Sequence, residues 1–249
     1  MRKSRPLYDS ARRKRRMTKI IYASVMVSFV IPIIFLVVML CTGGIGDPSS
    51  TELGYHSRAD YTLMLVQCVL GVVVMHIPSL LAKKFRFELP TTLYILYIIF
   101  LYCAIFLGEV RSFYYLVPNW DTILHAMSSV MTGFFGLMVV YILNRDEHLV
   151  IRMSPFFISL FAFSFAVTVG AVWEIYEFTA DGLFGMNMQR FHTASGELLA
   201  GRSALGDTMK DIIVDALGAL AASVIGYFSI KHEKTWFVPE LSDYEEKTE

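Results

Sequence analysis

Six long apolar runs constrain most strongly what this chain can fold into. Each is close to the roughly 20 residues that a helix needs to cross a hydrocarbon core. Lipid offers the backbone no water to bond, so such runs must be helices. The chain is 55% hydrophobic and only 18% charged, which separates it from soluble domains, where about 25% of residues are charged. We therefore predict an all-α integral membrane bundle of about six transmembrane helices, at residues 20–41, 61–82, 90–107, 123–143, 155–176 and 211–230.

Basic residues predict the orientation of these helices. Of the 22 Lys and Arg residues, 17 lie in segments that fall on one side of the membrane if the helices alternate in direction. Cytoplasmic loops carry such an excess of Lys and Arg, so we expect this side, and both termini, to be cytoplasmic. The segments concerned are 1–19, 83–89, 144–154 and 231–249.

The chain organisation follows from this topology. We predict a basic cytoplasmic N-terminus, a first group of three helices, a second group of three helices and a cytoplasmic tail, at 1–19, 20–107, 108–230 and 231–249. The second group contains a long outer loop at 177–210, beyond the roughly 12–15 residues at which structureless loops become unusual. With a formal net charge of zero, the chain has no global field that favours nucleic acid. Membrane lipid is the expected partner, and protein partners and the oligomeric state stay open.

Acidic residues recur at the outer ends of the last three predicted helices. Asp121 and His125 are four residues apart, which puts them on one face of a helix. Glu174 and Glu177 share a face of the next helix. Asp207, Asp211 and Asp215 follow at four-residue steps and lead into Gly218, Ala219, Ala222 and Gly226, a stripe of small residues of the kind that marks closely packed membrane helices. We therefore expect the acids to face the bundle interior and to line one polar cavity that opens to the outside.

This cavity allows two interpretations. Carboxylate oxygens suit Mg²⁺, Ca²⁺ or Mn²⁺, and an added imidazole admits zinc or iron, so a divalent metal or proton site is one. The metal candidates are His125, Glu174, Glu177, Asp211 and Asp215, and the catalytic candidates are His125, Asp121, Glu174 and Glu177. The other is a structural network in which Asp121 orients His125 and the remaining acids are wetted or pair with Arg111, Lys210 or Arg202.

Three motifs in this region resemble a known pattern. They are Asp121-Thr-Ile-Leu-His125, Trp173-Glu174-Ile-Tyr-Glu177 and Asp211-Ile-Ile-Val-Asp215-Ala-Leu-Gly218. Their order over residues 119–226 resembles that of YjdF-like and VanZ-like proteins, uncharacterised multi-spanning membrane proteins of bacteria. The resemblance implies a bacterial plasma-membrane protein, and through the VanZ-like members, which are associated with tolerance to glycopeptide antibiotics, a role in the cell envelope.

Three functional hypotheses remain from the sequence. The first is an envelope-associated membrane protein with an outward-facing acidic and histidine pocket for a polar head group or a cation, whether or not it is an enzyme. The second is a cation- or proton-coupled transporter, for which intramembrane acids are also natural. The third is a non-catalytic accessory or scaffold protein in which the carboxylates only specify helix packing.

Overall fold

The chain folds almost entirely into helices, as predicted. A computed structural model describes residues 5–42, 58–85, 89–144, 152–193 and 197–234. Within these ranges lie seven α-helices: α1 (Arg5–Thr42), α2 (Arg58–Phe85), α3 (Thr91–Leu101), α4 (Phe113–Leu116), α5 (Trp120–Asn144), α6 (Pro155–Phe184) and α7 (Gly206–Lys231). A π-helical segment, Tyr102–Val110, continues α3.

Six of these helices are long and apolar enough to cross a membrane, which confirms the predicted fold class. They are Arg16–Thr42 within α1, Tyr61–Lys84 within α2, α3 with its π-helical continuation, and α5, α6 and α7. The predicted orientation rests partly on residues 1–4 and 235–249, which lie outside the described residues.

The helices extend beyond the predicted spans, most clearly at the start of α1, which begins at Arg5 rather than at 20, and around the long connection. Ser154 caps α6 by accepting a hydrogen bond from the Phe157 amide, a common start for a helix whose first residue is proline. Its other end is Gly185, at φ +64°, whose amide donates to the Asp181 carbonyl at 3.0 Å. Glycine adopts this left-handed conformation without a side-chain clash, so it is a favourable place for the helix to end. The end of α6 lies eight residues past the predicted end at 176. The connection to α7 is therefore 185–205 rather than 177–210.

The chain divides into two compact units, Met1–Trp120 and Asp121–Glu249. In the first, apolar side chains of α1, α2 and α3 form a core centred on Phe29, Met75 and Ile98, all fully buried. Gly71 makes the packing close, because a Cβ there would lie 3.3 Å from the Phe29 ring.

In the second unit, small residues bring α5, α6 and α7 together. A Cβ on Gly133 would lie 2.7 Å from the Ala222 Cβ, between α5 and α7. A Cβ on Gly136 would lie 3.2 Å from the Ala162 Cα, between α5 and α6. Close backbone approach of this kind is typical of membrane helices, whose association relies on packing rather than on a hydrophobic difference from lipid. The predicted stripe of small residues thus lies at the helix contacts.

Candidate functional site

The second unit buries acids and exposes apolar side chains. In α6, Glu174 is 4% exposed whereas its neighbour Ile175 is 63% exposed. In α7, Asp211 is 1% exposed whereas Ile213 is 54% exposed. This reverses the pattern of a water-soluble helix. It is the pattern expected where the outer surface contacts lipid, because an ionisable group facing hydrocarbon costs about 2.5–3.5 kcal/mol on insertion scales.

A side chain of α7 binds one of the two ring nitrogens of His125. Its Nδ1 lies 3.1 Å from Asp215 Oδ2, a hydrogen bond between two buried side chains. Gly170 of α6 leaves the space for this carboxylate, because a Cβ at that position would overlap Asp215 Oδ2. With its proton on Nδ1 donated to Asp215, a neutral imidazole presents the lone pair of Nε2 to the other side.

Carboxylates surround Nε2 on that other side. Asp121 Oδ1 and Glu174 Oε1 each lie 3.9 Å from it. These separations are too long for hydrogen bonds. They suit two ligands of one ion, since ligand atoms lie about 2.1 Å from Zn²⁺ and about 2.4 Å from Ca²⁺, so that two ligands of one ion are at most about 4.2–4.8 Å apart.

Three groups of side chains have ligand atoms close enough to share a cation. In each group the ligand atoms lie within 4.8 Å of one another. The groups are Asp121, His125 and Glu177; His125, Glu174 and Asp211; and Asp121, Asp207 and Asp211. Asp121, His125 and Asp211 each belong to two of them, so the groups form one continuous cluster.

Several carboxylate oxygens in this cluster lack a hydrogen bond. Among the described residues, neither oxygen of Glu174 has a hydrogen-bond partner, and the same holds for Asp211 Oδ1 and Asp215 Oδ1. A buried acceptor without a partner costs about 1–3 kcal/mol, and more when it is charged. Such groups in a folded protein call for an explanation such as an ion, and Glu174 Oε1 lies 3.9 Å from His125 Nε2.

Glu177 has a partner of its own. The indole Nε1 of Trp173 donates to Glu177 Oε1 at 2.9 Å, one helical turn away. One oxygen of Glu177 is therefore committed, whereas the polar side chains nearest to Glu174, those of Thr208 and Gln189, hydrogen-bond to each other.

Hydrogen bonds hold the connection between α6 and α7 next to the cluster. Asp181 Oδ1 accepts from the Met188 amide at 2.7 Å, and Asp181 Oδ2 accepts from the Gln189 amide at 3.0 Å. The Gln189 side chain donates to Thr208 Oγ1 in α7 at 2.9 Å. Arg190 follows with φ +50°, a left-handed conformation that non-glycine residues adopt only where their surroundings fix it.

Two basic side chains reach the cluster. The Arg190 guanidinium lies 3.5 Å from Asp121 Oδ2 and 3.7 Å from Asp207 Oδ2. Lys210 Nζ lies 3.1 Å from Asp207 Oδ1 and 3.9 Å from Asp211 Oδ1. The Arg190 side chain is 35% exposed and that of Lys210 is 39% exposed, so both stand at the rim, in front of Asp121 and Asp211, which are buried.

Comparison with known proteins decides the family. A family model described as "Predicted membrane protein (DUF2238)" matches residues 30–232. The chain belongs to this family. The match begins within α1 and ends just after α7, so the whole cluster lies inside the DUF2238 region.

A relative of this DUF2238 protein occurs in Thermotoga maritima. It is 32% identical over 123 residues, which cover 49% of this chain and 54% of that protein, whose description is "Uncharacterized protein". The chain therefore spans about half the length of this relative. No solved structure matches the chain.

The structure brings together the acids that the sequence singled out in this DUF2238 protein and places two of them differently from the expectation. Asp215, not Asp121, makes the hydrogen bond to His125, because α7 packs against α5 at Gly133 while Asp121 Oδ1 stays 3.9 Å from the ring. Asp215 Oδ2, expected as a metal ligand, thus lies behind the imidazole, and Asp121 lies on the Nε2 side. The expected ligands His125, Glu174 and Asp211 form one of the three groups, and Glu177 belongs to another.

Sequence reasoning missed Arg190. Lys210 was an expected counter-ion and pairs with Asp207 and Asp211. Arg202 was expected to pair as well, but its side chain is exposed, and Arg111 belongs to the first unit. Only the fold of the connection shows which arginine reaches the acids.

Proposed function

We propose that this DUF2238 protein binds a divalent cation in the second unit, through His125 Nε2, Glu174 and Asp211. The observation that carries the proposal is Glu174. It is buried, neither of its oxygens has a hydrogen-bond partner among the described residues, and Oε1 lies 3.9 Å from His125 Nε2. A cation between these atoms satisfies an otherwise unpaired buried carboxylate.

The chemistry of the donors supports a cation over a neutral head group bound directly. The groups that converge beside Nε2 are acceptors, two carboxylates and an imidazole lone pair, and acceptors alone attract a positive charge. Carboxylates suit Mg²⁺, Ca²⁺ and Mn²⁺, and the imidazole extends the range to Zn²⁺ and Fe²⁺. The Asp215 carboxylate behind the ring is the arrangement usual for a ligating histidine, whose second nitrogen donates to a carboxylate.

In this proposal, the cation lies in a membrane-embedded pocket that opens to the outer face of a bacterial plasma membrane, and both termini of the chain are in the cytoplasm. The distribution of Lys and Arg supports the orientation, since 17 of the 22 fall on the opposite side. The resemblance of the three motifs to YjdF-like and VanZ-like proteins supports an envelope role. A cation at this depth binds the polar head group of a lipid or a lipid-linked envelope precursor through the head group's oxygens.

Metal content of the detergent-purified protein tests the proposal. The wild type is compared with Glu174→Gln, which keeps shape but removes the charge, and with Glu197→Gln, the same change at an exposed residue of the connection. We expect bound divalent metal in the wild type and in Glu197→Gln, and its loss or a large drop in Glu174→Gln. Absence of metal after dialysis against each of the five ions in turn, in a folded wild type, overturns the proposal. Equal metal in all three proteins removes Glu174 from the ligands.

A further inference from the structure

We propose that the cluster holds a pair of divalent cations, with the second bound by Asp121, Asp207 and Asp211. This inference rests on the proposed function, because it adds an ion next to the one at His125. The ligand atoms of these three side chains lie within 4.8 Å of one another, as do those of His125, Glu174 and Asp211.

Asp211 makes the two sites adjacent. It is the one residue common to both groups, and a carboxylate has two oxygens with which to bridge two ions. Asp211 is 1% exposed and its Oδ1 makes no hydrogen bond within the described ranges; its nearest cation there is Lys210 Nζ at 3.9 Å. A deeply buried oxygen that makes no hydrogen bond, at the junction of both groups, is the observation that points to a second ligand.

The charge of the cluster also favours more than one divalent ion when its acids are ionised. Six carboxylates meet here: Asp121, Glu174, Glu177, Asp207, Asp211 and Asp215. Arg190 and Lys210 supply two positive charges. With the acids ionised and His125 neutral, four negative charges remain, and two divalent ions neutralise them. A single ion leaves two uncompensated charges in a buried site, where isolated charges are costly.

Arg190 and Lys210 define which of the two ions binds more weakly. Both contact Asp207, and between them they contact Asp121 and Asp211, so they touch every ligand of the second site. They therefore compete with the second cation, whereas neither forms an ion pair with Glu174 within the described residues. The first ion binds tightly and the second binds as the rim side chains move aside.

Pairs of metal ions about 3.5–4 Å apart stabilise both the attacking and the leaving oxygen in hydrolytic reactions. The arrangement of acids and one histidine facing inward from neighbouring helices is also that of carboxylate-bridged metal pairs in helical bundles. The class of ligand that suits such a pair is a phosphate or another oxyanion, whose oxygens bridge the two ions.

Titration of the metal-free full chain with Mn²⁺ tests the inference, with bound ion counted by equilibrium dialysis and the spin state followed by electron paramagnetic resonance. We expect two ions per chain, a tight and a weak one, and a spectrum of exchange-coupled Mn²⁺ when both are bound. Asp207→Asn is expected to retain the tight ion and to lose the weak one together with the coupling. Glu197→Gln is expected to bind two.

Neutralising the rim gives a second, opposite test. Arg190→Gln removes a competing charge, so we expect the weak ion to bind about tenfold more tightly, a change of about 1.4 kcal/mol. Lys210→Gln serves the same purpose if Arg190→Gln fails to fold. Arg202→Gln, an exposed arginine of the same connection, is expected to leave both affinities unchanged.

The possible results separate this inference from the proposed function. No bound Mn²⁺ in the folded wild type overturns the pair, and the proposed function falls with it only if dialysis against the other four ions also leaves the protein without metal. One ion per chain at saturation overturns the pair and leaves the site at His125 standing. Two uncoupled ions, or two ions that persist in Asp207→Asn, place the second ion elsewhere and overturn the inference. Weaker binding of the second ion in Arg190→Gln contradicts the competition and with it the assigned ligands.

Discussion

Gly170→Ala is expected to disturb the site without touching any proposed ligand. The added Cβ overlaps Asp215 Oδ2, so the carboxylate has to move away from α6. The hydrogen bond from His125 Nδ1, now 3.1 Å long, is then lengthened or lost. The imidazole loses the partner that fixes its direction, and Nε2 no longer points steadily at Glu174.

The size of the effect follows from two contributions. Overpacking a closely packed core costs about 1–3 kcal/mol, and loss of a hydrogen bond to a charged group costs about 1.5–3 kcal/mol. Because both arise from one movement they are not additive, and we expect a loss of about 2–4 kcal/mol in the free energy of unfolding. Loss of the carboxylate behind a ligating histidine typically lowers metal affinity 10–100-fold.

Gly182→Ala is the matched control. It makes the same change in the same helix, but a Cβ there meets nothing within 4 Å. Alanine is favoured over glycine within a helix by up to about 1 kcal/mol, so this variant is expected to be as stable as the wild type or slightly more stable.

The assay compares the two variants by reversible unfolding with SDS in mixed micelles and by competition of the bound cation with a fluorescent chelator. The reasoning is refuted if Gly170→Ala matches Gly182→Ala in both stability and cation affinity. A stability loss with unchanged affinity would keep the packing argument and remove Asp215 as the residue that positions His125.

Two further predictions concern the surroundings of the cluster. Trp173→Phe removes the 2.9 Å hydrogen bond to Glu177 Oε1 and is expected to lower the free energy of unfolding by about 1.5 kcal/mol or more. The control Tyr176→Phe, in the same part of α6, is expected to have little effect. Equal unfolding of the two variants in SDS would contradict this prediction. Asp181→Ala removes the acceptor of two loop amides and is expected to raise hydrogen exchange at Met188 and Gln189 at least roughly tenfold. Unchanged exchange in that variant, measured by mass spectrometry, would show that other contacts hold the connection.

The number and type of the long helices were predictable from the sequence because an apolar segment in lipid has to satisfy its own backbone hydrogen bonds. A run such as 123–143 must be helical once it is in hydrocarbon, and α5 covers it. The inward direction of Asp211 and Asp215 was also predictable, since they continue the same face as Gly218 and Ala222, which contact or approach α5. Periodicity assigns a residue to a face, and small residues identify the face that packs.

The pairing of side chains across helices was not predictable in the same way. Asp121 shares a face of α5 with His125, and Asp215 of α7 is turned towards the same ring. Only the packing distance between α5 and α7 decides which of the two carboxylates reaches Nδ1. The end of α6 was misjudged because Glu177 and Asp181 interrupt the apolar run, although the helix continues to Gly185. Charged residues end an apolar run in the sequence before the helix itself ends. In α6 these charged residues belong to, or lie next to, the acidic cluster.

The most direct test of the account is whether His125 binds the cation. Pulsed electron paramagnetic resonance of the Mn²⁺-loaded full chain measures the hyperfine coupling of a directly bound ¹⁴N nucleus. The account predicts one such nitrogen in the wild type and its disappearance in His125→Gln. Bound Mn²⁺ whose spectrum shows only oxygen ligands in the wild type would contradict it, because the cation would then lie away from Nε2.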